Sequence, residues 1–315
     1  MKQAVIDLGT NTFHLMITDA GQTLFRESRP TKIGKAGINQ GVITDEATER
    51  ALTVLRYFRS VIDDHHVRPE AVVAIGTSAI RNAGNQAEFI ERIRQETGIA
   101  IRTISGDEEA GYIYSGVRAA GALDEQMALV VDIGGGSVEF ILCTDRRIYW
   151  KQSFEMGGQR LLERFMETDP ISQTAVSRLS RYFQEQLLPL TNAVHQYAPG
   201  VLVGSSGSFD TLVDLYFMHE KGQLPDARQT AFELPVREFY RSYEQLLTRN
   251  HAGRMQLPGM LELRVDMIVV GACLIDYLLR AYGIQQIRVS TFSLKEGVLA
   301  DLSHSKAENL GRENG

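Results

Sequence analysis

The chain has 315 residues, of which 43% are hydrophobic and 23% charged, a composition typical of globular proteins that excludes disorder as its main state. Its formal net charge of −6 argues against a dedicated binder of nucleic acid or of anionic membranes, because both usually carry an excess of basic residues. The longest apolar run, Met267 to Ile275, is too short to cross a bilayer, and the first residues do not form a secretory signal. Cys143 and Cys273 lie in apolar stretches typical of core residues in a reducing compartment. We therefore expect a cytoplasmic protein with no nucleic-acid and no membrane partner.

Strands and helices alternate along the first part of the chain. Two short apolar strands, residues 5–8 and 13–17, flank a Gly-Thr-Asn-Thr turn, and a third strand follows. A helix is predicted after Thr44, with apolar residues at positions 52, 55, 58 and 62. A strand at 71–75, a helix from Asn85 to Gly98, a strand at 99–104 and a helix from Ser105 come next. This alternation predicts a mainly parallel sheet and an α/β fold.

The pattern lapses between Gly121 and Gln126 and restarts with a strand at 128–131, which predicts a domain boundary. We expect an N-terminal domain of residues 1–122 and a C-terminal domain of residues 123–303, with a last helix, 294–303, that can pack back on the first domain. Residues 304–315 are expected to form a loose tail. The second half is predicted to contain a hairpin at 145–147, helices at about 172–194, near 208 and 236 and at about 260–282, and strands at 201–203 and 287–290.

An internal repeat gives the first functional signal. Asp7 and Asp132 each end an apolar strand and are followed by a glycine two residues later and a hydroxyl residue five later, at a constant offset of 125 residues (132 − 7). Successive N–H groups of such turns form anion-binding concavities, and the hydroxyl groups add donors. Both turns are therefore predicted to bind phosphate. Their residues are Gly9, Thr10, Asn11 and Thr12 in the first copy and Gly134, Gly135, Gly136 and Ser137 in the second.

A third glycine- and serine-rich turn follows the strand at 201–203 and opens a helix. The N-terminus of a helix favours anions, so this turn is predicted to bind a nucleotide or a second phosphate. Its residues are Gly204, Ser205, Ser206, Gly207 and Ser208. A single Asp-x-Gly turn more often only ends a hairpin, but two related copies and a third turn favour a phosphate site.

Five blocks span nearly the whole chain: residues 7–15, 76–81, 104–110, 132–139 and 294–299. Together and in this order they resemble the exopolyphosphatase and guanosine pentaphosphate phosphatase family, within the actin, sugar-kinase and Hsp70 superfamily. The resemblance implies two actin-like (ribonuclease H-like) α/β domains with a central cleft. It also implies an enzyme that removes the terminal phosphate of inorganic polyphosphate or guanosine pentaphosphate by water attack, assisted by Mg²⁺ or another divalent cation. A homodimer is compatible with this family.

The resemblance assigns the general base to Glu109. Ser105 and Glu108 fit a helix capping box, which does not use Glu109. The family places its base on the second glutamate of this pair, where it would deprotonate the attacking water. On the residues alone, three acids in a first helical turn equally well complement the helix dipole.

The same resemblance implies the metal and phosphate ligands. Asp132 and Glu139 would hold the cation, and Asp7 is the equivalent of Asp132 in the first copy. Arg81 would clamp phosphate oxygens through its forked guanidinium. Lys295 replaces an arginine common in the family, so it keeps the charge for phosphate binding and loses the fork.

Five further polar residues stay outside the predicted chemistry. His14 aligns with Glu139 and is interpreted as a packed strand residue. Arg264 and Asp266 either pair across the cleft or form a surface salt bridge. The arginines at 146 and 147 are interpreted as a solvated hairpin tip.

Two other functions remain open from the sequence. One is a kinase of the same superfamily that uses ADP or ATP, and the other is a non-catalytic sensor of polyphosphate or guanosine polyphosphates. Carboxylates at 109, 132 and 139 disfavour a sensor, because a pure binder of polyanions gains nothing from them. Longer family members carry an extra C-terminal helical domain that this sequence lacks, from which we expect lower processivity.

Overall fold

The computed structural model describes residues 2–302, and the expected loose tail at 304–315 lies outside them. The described chain divides into two compact units: residues 2–109 with 298–302, and Ala110–Gly297. The boundary between residues 109 and 110 falls inside the helix Gly106–Ala119. The domains at 1–122 and 123–303 rested on a change of sequence pattern, and they stay a prediction.

The first unit is built on a five-stranded sheet. Its strands are β1 (Gln3–Leu8), β2 (Thr12–Asp19), β3 (Gln22–Pro30), β4 (Val72–Gly76) and β5 (Ile101–Thr103), and its helices are α1 (Asp45–Asp64), α2 (Ser78–Arg81), α3 (Gln86–Thr97) and the start of α4 (Gly106–Ala119). The sheet order is β3-β2-β1-β4-β5, with β1 to β3 antiparallel and β4 and β5 parallel to β1. The apolar residues at 52, 55, 58 and 62 all lie in its core, as their helical spacing predicted.

The second unit is built on a six-stranded sheet. Its strands are β6 (Ala128–Ile133), β7 (Val138–Cys143), β8 (Ile148–Phe154), β9 (Val201–Ser205), β10 (Ala231–Leu234) and β11 (Ile287–Ser290). Its helices are α5 (Gly158–Phe165), α6 (Gln173–Gln186), α7 (Leu188–Tyr197), α8 (Gly207–Lys221), α9 (Val236–Thr248), α10 (His251–Met255) and α11 (Met267–Tyr282). A last helix, residues 294–302, begins in this unit, and its residues 298–302 belong to the first unit. The sheet order is β10-β11-β9-β6-β7-β8, with β6, β9 and β11 parallel. The carboxyl ends of these three strands therefore meet at one edge, where β6 ends beside Asp132.

The repeat seen in the sequence is a repeat of structure. The meanders β1-β2-β3 and β6-β7-β8 pair residues at the same offset of 125: residue 7 faces 14 as 132 faces 139, and 14 faces 28 as 139 faces 153. Both meanders have a register irregularity at the equivalent point, between residues 17 and 18 and between residues 142 and 143. The two turns are thus equivalent parts of one duplicated unit.

One predicted helix is wrong in its extent. The sequence predicted a single helix from about Ser172 to Val194, whereas α6 ends at Gln186 and α7 begins at Leu188. Pro189 lies in the first turn of α7, and a proline ring clashes with the carbonyl four residues earlier, so it breaks a continuous helix. The stretch predicted from Met260 is helical as α11 only from Met267.

Both cysteines are buried and neither forms a disulfide, as their apolar surroundings predicted. Burial raises the pKa of both thiols to about 12. No helix within residues 2–302 is both long enough and apolar enough to span a membrane.

Candidate active site

The first predicted phosphate turn joins β1 to β2. Thr10, Asn11 and Thr12 are each at most 5% exposed. A methyl group on Gly9 would lie 2.8 Å from the Thr12 carbonyl oxygen, so this tight turn needs a glycine. The carbonyls of residues 10 and 11 accept hydrogen bonds of 2.9–3.0 Å from main-chain N–H groups within residues 31–34. The loop after β3, which the sequence did not single out, therefore fixes the back of the turn.

The predicted base Glu109 lies in the first turn of α4 and is 7% exposed. The expected capping box is present: the main-chain N–H and hydroxyl of Ser105 donate to Glu108, and the Ser105 hydroxyl accepts from the Glu108 N–H. These bonds lower the pKa of Glu108. Glu108 thus has a structural role at the helix end, which separates it from Glu109.

Arg81 and Glu109 form an ion pair that the sequence did not predict. Nη1 of Arg81 donates to Oε2 of Glu109 over 2.8 Å and to the Ile104 carbonyl over 3.1 Å. The two side chains come from different helices, α2 and α4, and both are largely buried. A hydrogen bond to a guanidinium fixes the orientation of a carboxylate, as a general base requires. The phosphate-clamping role of Arg81 stays a prediction.

The second turn, residues 134–137, repeats the first. A methyl group on Gly134 would lie 3.0 Å from the Ser137 carbonyl oxygen. The N–H groups of residues 157–159 donate to the carbonyls of residues 134–136 over 2.8–3.1 Å. This turn is therefore also held from behind, here by the start of α5.

Asp132 is the penultimate residue of β6 and is 5% exposed. Its carboxylate accepts hydrogen bonds from Ser205 over 2.6 Å, from Ser206 over 2.7 Å and from Ser293. Three hydroxyl donors fix both carboxylate oxygens in one orientation. Ser293 lies 161 residues further along the chain, and the sequence analysis missed it.

Glu139 faces Asp132 directly across the antiparallel pair β6–β7 and is 1% exposed. Ser153 on β8 donates to Glu139 Oε1 over 2.6 Å. In the first unit, His14 faces Asp7 in the same way, and its Nδ1 lies 2.6 Å from the Ser28 hydroxyl. His14 thus occupies the position equivalent to Glu139.

The third turn, residues 204–208, contributes two of its three serines, Ser205 and Ser206, to Asp132. Gly204 is packed under the Phe209 ring, where a methyl group would approach ring carbons to 2.0 Å. Ser206 has a left-handed backbone, with φ of 70°, and this unusual geometry accompanies its bond to Asp132. Binding of a nucleotide or phosphate by this turn stays a prediction.

Two basic residues have partners that the sequence did not give. Lys295 Nζ lies 3.2 Å from Glu296 Oε1, and its phosphate role stays a prediction. The Arg264 guanidinium packs against Gly207, where a methyl group would be 1.9 Å from its central carbon. Burial lowers the pKa of Arg264, while the negative charges of Asp210 and Asp132 oppose that shift.

Asp266 does not pair with Arg264, so the expected pair or surface salt bridge between them is wrong. Its carboxylate accepts from Arg254 over 3.2 Å and lies 2.8 Å from His251 Nδ1. Arg254 is fully buried and also binds Asp169 over 2.7 Å. Pairing follows from how α10 packs beside the start of α11, which spacing along the chain does not reveal.

Asp132 and Glu139 fit a divalent cation. Two carboxylates directly opposite on neighbouring strands repel each other, and the repulsion is strong when both are buried. A cation between them would remove it, and oxygen donors of this kind suit Mg²⁺. The serines on each carboxylate are the outer hydrogen bonds that orient metal ligands. Asp7, in the other unit, stays a predicted ligand.

A second group of metal-ligating side chains within residues 2–302, at His219, Glu220 and Glu238, does not fit a cation. Nη1 of Arg241 hydrogen-bonds to the His219 ring and lies 3.3 Å from Glu238 Oε2. A guanidinium already fills this position with positive charge, so we assign no metal to it.

Comparison with known proteins agrees with this architecture. The Ppx/GppA phosphatase family matches residues 16–306. A solved exopolyphosphatase structure from Cytophaga hutchinsonii is 43% identical with a TM-score of 0.92, and the match covers 96% of this chain and 97% of that one. The Aquifex aeolicus PPX-GPPA enzyme is 25% identical with a TM-score of 0.77, covering 96% and 99%. An exopolyphosphatase-like protein is 25% identical with a TM-score of 0.85, covering 97% and 99%.

The chain is therefore a phosphatase with a mixed α/β fold that contains two β-sheets. It belongs to the Ppx/GppA phosphatase family. The family predicted from the five sequence blocks and the α/β class predicted from the alternation of strands and helices are both confirmed.

Proposed function

We propose that this protein is an exopolyphosphatase that releases orthophosphate from the end of inorganic polyphosphate. The observation that carries the proposal is Asp132, fixed by three serine hydroxyls beside a glycine turn and facing Glu139 across the hairpin. Such an arrangement suits a polyanion whose charge a cation must neutralise. The 43% identity to an exopolyphosphatase supports the same substrate class.

The chemistry that we assign to the chain is hydrolysis of a phosphoanhydride bond. A water oxygen attacks the terminal phosphorus, its proton passes to the Glu109 carboxylate, and the bond from that phosphorus to the bridging oxygen breaks. Orthophosphate leaves, and the remaining polyphosphate is one phosphate shorter. Arg81 keeps the Glu109 carboxylate oriented through their 2.8 Å hydrogen bond.

The two glycine turns have the role of binding phosphate oxygens through main-chain N–H groups. Mg²⁺ or a similar cation, held by Asp132 and Glu139, would neutralise charge on the phosphates when it is bound. Arg81 and Lys295 are assigned as further phosphate contacts. Guanosine pentaphosphate is the second substrate that we propose. The turn at residues 204–208 opens a helix, and a helix N-terminus favours anions, so we assign the nucleotide to this turn.

The test is release of orthophosphate from polyphosphates of graded length and from guanosine pentaphosphate, with Mg²⁺ and again with EDTA. We expect turnover of at least one substrate, loss of turnover in EDTA, and recovery when Mg²⁺ is restored. Glu109→Gln should lower kcat about 10²-fold or more, because it removes the base. Glu108→Gln is the matched control, since glutamine also serves in a capping box and turnover should persist.

Three results would contradict this proposal. Glu109→Gln with near wild-type turnover would remove the assigned base. Formation of ATP from polyphosphate and ADP would indicate a kinase instead. Tight polyphosphate binding with no phosphate release under any condition would indicate a sensor.

A further inference from the structure

The back of the second phosphate turn carries a feature that the roles assigned above do not use. Each carbonyl of residues 134–136 accepts a main-chain hydrogen bond from residues 157–159. The carbonyl of Gly136 accepts a second one, from Nε of Arg160, over 2.9 Å. The Arg160 side chain is 16% exposed, and its Nη2 lies 3.2 Å from Glu155 Oε2.

These bonds determine where the N–H groups of the turn point. In a trans peptide the C=O and the following N–H point in opposite directions. Carbonyls directed back toward residues 157–160 therefore direct the N–H groups of residues 135–137 to the opposite side. Three successive N–H groups on one side form a concavity that binds an anion.

The first turn is built in the same way, which shows that the arrangement belongs to the duplicated unit. The N–H groups of residues 32 and 34 bind the carbonyls of residues 11 and 10, as those of 157 and 159 bind 136 and 135. The offset is again 125 residues (157 − 32). The copies differ in their donors. The residue 11 carbonyl takes its second bond from the residue 31 N–H, whereas the Gly136 carbonyl takes it from the charged Arg160 side chain, and the second copy also has the bond from the Gly158 N–H to the Gly134 carbonyl.

We propose that Arg160 is a positioning residue for phosphate binding, and this inference rests on the proposed function. A charged donor on the Gly136 carbonyl polarises the peptide that ends in the Ser137 N–H, which makes that N–H a stronger donor. The same bond fixes the plane of the peptide. Arg160 thus strengthens the phosphate contact from behind the turn without touching the substrate.

The experiment compares steady-state kinetics on a short polyphosphate, with inorganic phosphate as a competitive inhibitor. Arg160→Met should raise both KM and the inhibition constant of phosphate about tenfold, while kcat falls less than about threefold, because the loss is one of binding. Arg160→Lys should recover most of the loss, since it restores a cationic donor. Arg164→Met is the matched control, because Arg164 lies on the same helix and packs over the Tyr182 ring, away from the turn.

Equal KM and equal phosphate inhibition in Arg160→Met and Arg164→Met would overturn the inference, and so would a loss confined to kcat. If Arg160→Met does not fold, the KM of Gly157→Ala tests the inference instead. Its methyl group would lie 2.5 Å from main-chain atoms of residues 135 and 136, so it should raise KM by displacing the turn, and an unchanged KM would overturn the inference. If the wild-type protein releases no phosphate, the proposed function fails, and calorimetric binding of inorganic phosphate to the same variants still tests Arg160.

Discussion

Asp214 is expected to make the stability of the protein depend on pH. It lies on α8, and Gly259 packs against its main chain so closely that a methyl group there would be 2.9 Å from the Asp214 carbonyl. Burial raises the pKa of Asp214 from its ordinary 3.8 to about 6. The folded state therefore holds this proton more tightly than the unfolded state does.

The sign and the size follow from that difference. Because the folded pKa is the higher one, its stabilising contribution is present below about pH 3.8 and is lost as the pH rises through 6. A difference of about two pKa units corresponds to at most about 3 kcal/mol of unfolding free energy lost by pH 8, because Asp214 is only partly buried and water screens its charge, and about half of that loss is already present at pH 5. Asp214→Asn removes the charge, so the stability of the variant relative to wild type should grow by up to about 1.5 kcal/mol between pH 5 and pH 8.

The assay is urea unfolding followed by circular dichroism at both pH values. The cost of burying the amide is the same at pH 5 and pH 8, so the difference between the two pH values isolates the ionisation of Asp214. Asp64→Asn, at an exposed aspartate on α1, is the control and should show no such difference. An Asp214→Asn effect that is equal at both pH values would refute the reasoning.

Three further predictions concern stability and reactivity. Gly297→Ala should lower the free energy of unfolding by at least about 2 kcal/mol, because its methyl group would lie 1.8 Å from the Tyr112 carbonyl oxygen; an unchanged melting temperature would contradict this close approach. Thr44→Ala should cost about 1 kcal/mol in the same measurement, because the Thr44 hydroxyl caps α1 by accepting from the Ala47 N–H. Neither cysteine should react with a thiol reagent at pH 8 in the folded protein, and both should react in guanidinium chloride.

The duplicated turns could be recognised from sequence because they are local. A hairpin fixes which residues face each other, so the seven-residue separation of Asp132 and Glu139 across the second turn is enough to place them opposite each other on neighbouring strands. The capping box at Ser105 is local in the same sense, and its two reciprocal bonds between side chain and main chain were predictable. By contrast, the helical periodicity of residues 172–194 predicted one continuous helix. Pro189 is the sequence signal that marks the break, and the prediction gave it no weight.

The contacts that complete the site depend on parallel pairing across the sheet. Ser293 reaches Asp132 because β11 pairs with β9, which pairs with β6, and no local pattern gives that order. Arg81 and Glu109 lie on helices that follow β4 and β5, and the parallel pairing of these two strands brings the side chains together.

The sequence by itself determined the family, the α/β class, the internal repeat and the residues of both glycine turns, because each is written in short-range spacing or in whole motifs. Only the tertiary structure decided which hydroxyls hold Asp132, that Arg264 packs on Gly207 while Asp266 binds Arg254, and that residues 157–160 hold the second turn from behind. Those partners are far apart in the chain, and strand order and helix packing bring them together through burial of the apolar cores rather than through any signal in the polar residues themselves.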